Sequence, residues 1–101
     1  MASSIYVTLG KKRYVGGTVT ELNGKDISTA TFTIALGVDP TLPPATFVAP
    51  DVNVAGTTNA SRVLKKLVDS SVTPGTYYVW ANIVDSSEIE PVLLQGPVTV
   101  M

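Results

Sequence analysis

The chain contains neither cysteine nor histidine, and only 15% of its 101 residues are charged. Without imidazole and thiol groups it cannot build a Cys/His zinc site, a thiol nucleophile or a histidine general base. The lack of cysteine also fits a protein made in a reducing compartment, whose stability does not depend on disulfides. Much of the side-chain chemistry found in active sites is therefore excluded.

The residues that are abundant favour strands. Val, Thr and Ile together supply 33 of the 101 residues, and β-branched side chains pack well on a pleated, half-buried surface. A chain of this length suits one hydrophobic core. We therefore expect residues 1–101 to form a single all-β domain.

The balance of charge argues against two classes of partner. Seven Lys and Arg stand against eight Asp and Glu, which leaves a net charge of −1. Proteins that neutralise many phosphates usually carry a basic excess or a basic stripe, so we expect neither nucleic acid nor a membrane as partner. The first residues lack the basic and apolar regions of a secretory signal, which predicts synthesis in the cytoplasm without a signal peptide.

Period-two alternation of apolar residues predicts where most of the strands lie. The predicted strands include residues 5–9, 13–22 and 31–36, with a bulge or bend at Gly16 and Gly17. Residues 61–68 fit either a helix or an uneven strand, and their β-rich surroundings favour the strand. Residues 51–60 are polar and are expected to stay irregular.

Prolines mark a long surface loop in the first half of the chain. Pro40, Pro43 and Pro44 fall within five residues, beside Leu42. Because proline lacks an amide proton, this stretch cannot be a central strand. Residues 38–50 are either a long connection or a semi-rigid arm laid against a neighbouring subunit, and residues 45–49 could pair at a sheet edge.

The strand after Pro74 and Gly75 is the most informative segment. Pro-Gly suits a type II turn, and the alternation that follows predicts Tyr77, Val79, Ala81 and Ile83 on the core face. Tyr78, Trp80 and Asn82 then face the other side of the sheet. They either form an exposed aromatic platform for protein contact or sugar stacking, or are covered by the domain's own loops.

Several of these segments resemble a known family. Residues 74–81 resemble the penultimate strand of immunoglobulin-like and fibronectin-type domains, and residues 96–100 look like the last strand of the same family. Residues 24–34 are similar to a strand of small Ig-like domains of bacteriophage virions. The resemblance implies an Ig-like antiparallel β-sandwich of about seven strands and a structural accessory role in a phage particle.

Candidate catalytic and metal-binding groups are few. Ser61 and Lys65 could meet only on a helix, and Glu88 and Glu90 flank a turn where solvated charges are ordinary. The aspartates are isolated and are explained as turn formers. We therefore expect no catalytic residue, no metal site and no cofactor.

These observations predict a non-enzymatic structural protein of a bacteriophage particle. The most specific expectation is a head decoration or accessory protein on the capsid exterior, bound to the major capsid protein or another virion protein, and a homo-oligomer on the particle stays open. Two alternatives remain, a tail or neck component and a carbohydrate-binding or host-recognition module. The candidate interface residues are Tyr78, Trp80, Asn82, Pro40, Leu42, Pro43 and Pro44.

Overall fold

The computed structural model describes residues 5–7, 12–21, 23–69, 71–85 and 88–101, and these residues form strands and loops without a helix. The strands are β1 (Ile5–Val7), β2 (Arg13–Thr20), β3 (Thr31–Gly37), β4 (Val52–Ala55), β5 (Ser61–Val68), β6 (Gly75–Asp85) and β7 (Glu88–Val100). The predicted all-β class is confirmed. Of the first predicted strand, residues 8 and 9 lie outside the described residues.

The strands form two sheets. One has the order β2-β5-β4 and the other the order β1-β7-β6-β3. Every pair is antiparallel except β1 and β7, which run parallel. Within the described residues each sheet thus contains three strands in antiparallel pairing. These are six in all, whereas about seven were predicted, and β1 is not counted among them because it adds only a short parallel edge to one sheet. Stacking of the two sheets is consistent with a β-sandwich.

The core lies between the two sheets. Ile34, Leu64 and Val79 are fully buried there, at 0% exposure. On β6, Val79 and Ala81 belong to the core cluster, and Tyr77 and Ile83 pack against it. The face predicted for these four residues is confirmed, because alternate residues of a strand point to opposite sides of the sheet.

At Gly16 and Gly17 the backbone of β2 lies close to the backbones of β5 and β7. Of the predicted bulge or bend, the bulge is wrong, since β2 and β5 pair in unbroken register. A Cβ atom at position 16 would collide with the carbonyl oxygen of Leu64, and one at position 17 would stand 3.3 Å from that of Leu94. The two glycines therefore allow the backbones of neighbouring strands to approach closely. The register is irregular instead between β6 and β7, around Val79.

Three other local predictions have clear outcomes. Residues 61–68 form strand β5 rather than a helix. Residues 51–60 are not wholly irregular, because they contain the short strand β4, whose alternating Val52 and Val54 are a weak strand signal. The predicted type II turn at Pro74 and Gly75 is wrong. Gly75 has a φ of 158° and begins β6, whereas such a turn needs a φ near +80° at that position.

Candidate functional site

The side of the four-stranded sheet that faces away from the core carries the candidate interface. The register places Trp80 between Ala35 of β3 and Leu93 of β7, and Val84 opposite Ile89. We call this set of side chains the outer face. Its members on β3, β6 and β7 are Thr31, Thr33, Ala35, Tyr78, Trp80, Asn82, Val84, Ile89, Pro91 and Leu93. None of these described residues is charged.

Trp80 points to the predicted side of the sheet, but it is not exposed. Its side chain is only 6% accessible. A Cβ atom at position 37 would stand 3.1 Å from the indole Cδ1 and 3.2 Å from Pro44 Cδ. The indole and Pro44 therefore meet above Gly37. Trp80 is therefore not part of an exposed platform, and its burial near Pro44 favours the alternative in which the domain's own loop covers the ring, whereas Tyr78 is half-buried.

The outer face holds two buried polar atoms without a hydrogen-bond partner among the described residues. They are the indole Nε1 of Trp80 and the side-chain Oδ1 of Asn82. The indole N–H is a donor that lacks an acceptor, whereas the amide oxygen of Asn82 lacks a donor. The contact with Pro44 therefore buries the ring without giving its N–H a partner among the described residues.

The loop over the outer face, residues 38–50, is fixed near both of its ends. At its start, the Asp39 carboxylate accepts hydrogen bonds from the Thr41 amide at 2.8 Å and the Thr41 hydroxyl at 2.7 Å. These bonds, the backbone one first, hold the pKa of Asp39 below its usual value. Near its end, Val48 exchanges two backbone hydrogen bonds with Ile34. The predicted pairing of residues 45–49 at a sheet edge is confirmed at Val48.

Large apolar side chains stay exposed on the outer face and on the loop. Ile89 and Leu93 on β7 are 68% and 45% accessible, and Val38 and Leu42 on the loop are 77% and 65% accessible. Of the other candidate residues, Pro40 is exposed, whereas Pro43, Pro44, Tyr78 and Asn82 are half-buried. A shallow depression of about 450 Å³ lies along the loop between Leu36 and Ala45. The sequence analysis did not single out Ile89 and Leu93, although their spacing of four residues on one strand places them on one face.

Several polar side chains elsewhere in the described residues make contacts with other groups of the chain. Ser61 and Lys65 lie four residues apart on an extended strand and do not meet, and the Ser61 hydroxyl donates to the Thr58 carbonyl at 3.2 Å. A second cavity of about 360 Å³ is lined by Val19, Ile27, Ile83 and Val92 with polar residues at its rim. The Lys25 ammonium there lies 2.7 Å from the Asp85 carboxylate.

Four carboxylates, one exposed and three half-buried, have a lowered pKa, each because nearby amide or hydroxyl groups donate to it. They are Glu21, held mainly by the Lys25 amide, Asp26 by Ser28, Asp39 by Thr41 and Asp69 by Ser71. These are turn contacts that favour the ionised form. In the part of the chain that the structure describes, no three acidic residues gather into a metal-binding group, and no helix is suited to crossing a membrane.

Comparison of the chain with protein-family models, with curated proteins and with solved structures found no match. Its own residues therefore carry the functional argument, and the most informative of them are those of the uncharged outer face and the loop above it.

Proposed function

We propose that the protein is a non-enzymatic structural protein of a bacteriophage particle, an Ig-like domain that decorates the outer surface of the head. The observation that carries this proposal is the outer face, where exposed Leu93 lies opposite the buried Trp80, exposed Ile89 lies further along the same strand, and the described residues include no charge. Interface cores are depleted of charged residues and enriched in aromatic ones. The outer face has that composition.

Strand order and one hydrogen bond support the Ig-like part of the proposal. If the strands are lettered A to G along the chain, one sheet here contains B, E and D, and the other contains A, G, F and C. Ig domains share the B-E-D and C-F-G arrangement. The Tyr77 hydroxyl, near the start of the sixth strand, donates to the Thr73 carbonyl at 2.5 Å, as the tyrosine corner of that fold does.

The outer face determines which partner surface fits. Burying Ile89, Leu93 and Leu42 is favourable only against a surface that is itself apolar and uncharged, because a charge buried there without a partner is costly. An isolated patch of this size binds weakly. A capsid lattice presents the same site many times, so modest affinity per copy is sufficient for dense decoration.

The carboxylates also fit a binding role better than a catalytic one. A general acid at neutral pH needs a raised pKa. Here Glu21, Asp39 and Asp69 have lowered pKa values because their oxygens accept bonds from neighbouring turn residues. These groups shape loops and remain ionised.

Co-sedimentation with undecorated capsids tests the proposal. The wild-type chain should pellet with the capsids, and the double variant Ile89→Asp, Leu93→Asp should lose most of this binding because it places charge in the contact. Tyr14→Asp is the matched control, since Tyr14 is 52% exposed on the other sheet. Failure of the wild type to bind, or an equal loss in the Tyr14 variant, would contradict the proposal.

Location on the particle separates the head from the alternative sites. A tail or neck component would use the same face on a different symmetry, and cryo-electron microscopy of the purified particle decides between them. A carbohydrate-binding or host-recognition module was predicted to stack sugars on an exposed indole. Trp80 is 6% accessible, so we do not propose that function.

A further inference from the structure

Strand β4 is an open sheet edge, in contrast to the free sides of β2 and β3. The free side of β2 receives the Gln95 side chain, whose Oε1 accepts from the Gly16 amide at 2.7 Å. The free side of β3 pairs with Val48 of the loop. Nothing comparable lies along β4 among the described residues. All four of its side chains are exposed or half-exposed.

The hydrogen-bond pattern identifies which backbone groups of β4 face outward. The Gly56 amide donates to the Ser61 carbonyl of β5 at 3.0 Å, and Val54 and Val52 pair with Val63 and Lys65 in the same register. Because antiparallel strands alternate the direction of their backbone groups, Asn53 and Ala55 direct their N–H and C=O groups away from β5. These two residues form the open edge.

Two charged side chains near this edge make hydrogen bonds within the chain. The Asp51 carboxylate accepts from the Leu67 amide at 2.6 Å, and the Arg62 guanidinium donates to the Asn53 side chain at 2.6 Å. Strand β4 itself contains no charged residue and no proline. Sheet edges are usually protected from pairing by their shortness, by lysine or proline, or by a covering segment. Strand β4 is short, with four residues, but it has no lysine, proline or covering segment along its described length.

We propose that β4 pairs with β4 of a second copy of this chain, antiparallel and about a two-fold axis through Val54. In this register Asn53 of one copy faces Ala55 of the other, and the two outward pairs form four backbone hydrogen bonds. Val54 then opposes Val54 of the second copy in a non-hydrogen-bonded pair. The two three-stranded sheets become one continuous sheet of six strands.

A second copy is the occupant that the edge fits best. The register uses every outward backbone group of Asn53 and Ala55 on both copies, and it places no like charges opposite one another. The contact is small, because four residues bury far less than the roughly 800 Å² per partner of a stable dimer. Pairing is therefore weak in dilute solution and strong where copies are held close together. It does not depend on the proposed function.

Disulfide trapping tests the register directly, because the wild-type chain has no cysteine. Opposing residues of a non-hydrogen-bonded pair have Cα atoms about 4.5 Å apart, within the range that a disulfide spans. Val54→Cys should therefore form a covalent dimer under mild oxidation. Val52→Cys is the control on the same strand and face. Its two copies would lie about 14 Å apart at about 3.4 Å per residue, too far for a bond. Because Val52 is half-buried and Val54 is exposed, a proline variant of the edge separates pairing from exposure.

We expect Val54→Cys to cross-link at least about tenfold faster than Val52→Cys at equal concentration, since only the first pair meets the distance limit. Adding Ala55→Pro to Val54→Cys should remove this advantage, because proline deletes an outward amide that β5 does not use. Circular dichroism checks that each variant is folded. Equal rates for the two cysteine variants, or cross-linking that persists after the proline substitution is added, would overturn the proposal.

Discussion

Trp80 and Tyr14 make the clearest comparison between the two sheets. Both are aromatic, and both point away from the core on their own sheet, yet Trp80 is 6% accessible and Tyr14 is 52% accessible. We attribute the difference to residues 38–50, which pair at the β3 edge through Val48 and bring Pro44 close to the indole at Gly37. Alternation along a strand therefore predicts on which face of the sheet a side chain lies. Whether that face is exposed to solvent depends on a segment that is distant in the sequence.

The largest expected effect comes from removing the covered ring. Trp80→Ala should lower the free energy of unfolding by about 3–5 kcal/mol, as expected for truncating a buried tryptophan. Tyr14→Ala should cost at most about 1 kcal/mol, because exposed substitutions away from special features have small effects. Urea unfolding followed by circular dichroism measures both. Equal losses in the two variants would show that the loop does not bury Trp80 as described.

The same two side chains show which features of the fold can be predicted from the sequence. The core face of β6 was predictable because Tyr77, Val79, Ala81 and Ile83 follow a strict local period. The burial of Trp80 by the loop could be predicted only as one of two alternatives. It depends on a contact with a segment that lies far away along the chain. Strand β4 was missed because its two valines are surrounded by polar residues.

A second prediction concerns the side of the sandwich where β2 meets β7, in contrast to the open side at β4. Gln95 joins the two sheets there through the Gly16 amide. Gln95→Ala should cost about 1–2 kcal/mol, because it leaves a partly buried amide without an acceptor. Gln95→Glu keeps an acceptor oxygen and should recover most of the stability. The idea fails if chemical denaturation shows the glutamate variant to be as unstable as the alanine variant.

The two adjacent tyrosines of β6 provide a third, smaller test. Tyr77→Phe removes the hydroxyl that donates to the Thr73 carbonyl and should cost about 0.5–1.5 kcal/mol, the usual contribution of one hydrogen bond. Tyr78→Phe makes the same chemical change on the outer face and should be close to neutral. Thermal unfolding compares them, and a larger loss for Tyr78→Phe would contradict the role given to the Tyr77 hydroxyl.

The smallest expected effect is a dependence of stability on acid pH. The pKa of Asp39 is lower in the folded chain than its ordinary value because Thr41 donates to the carboxylate. A group of this kind stabilises the fold above its unfolded pKa, and the contribution is lost as the pH falls through the lower, folded pKa. Stability should therefore decline below about pH 4, the ordinary value of an aspartate.

Asp39→Asn separates the contribution of this carboxylate from that of the other acidic turns. Asparagine keeps an oxygen that can accept from Thr41 but does not titrate, so the variant should lose less stability than the wild type between about pH 6 and about pH 3. Urea midpoints at the two pH values measure this. Because Asp39 begins the loop that covers Trp80, acrylamide quenching of the single tryptophan should rise at the lower pH in the wild type more than in the variant. If quenching is unchanged while the midpoint falls, the acid-sensitive turns lie outside this loop, with Glu21, Asp26 or Asp69 as the sources.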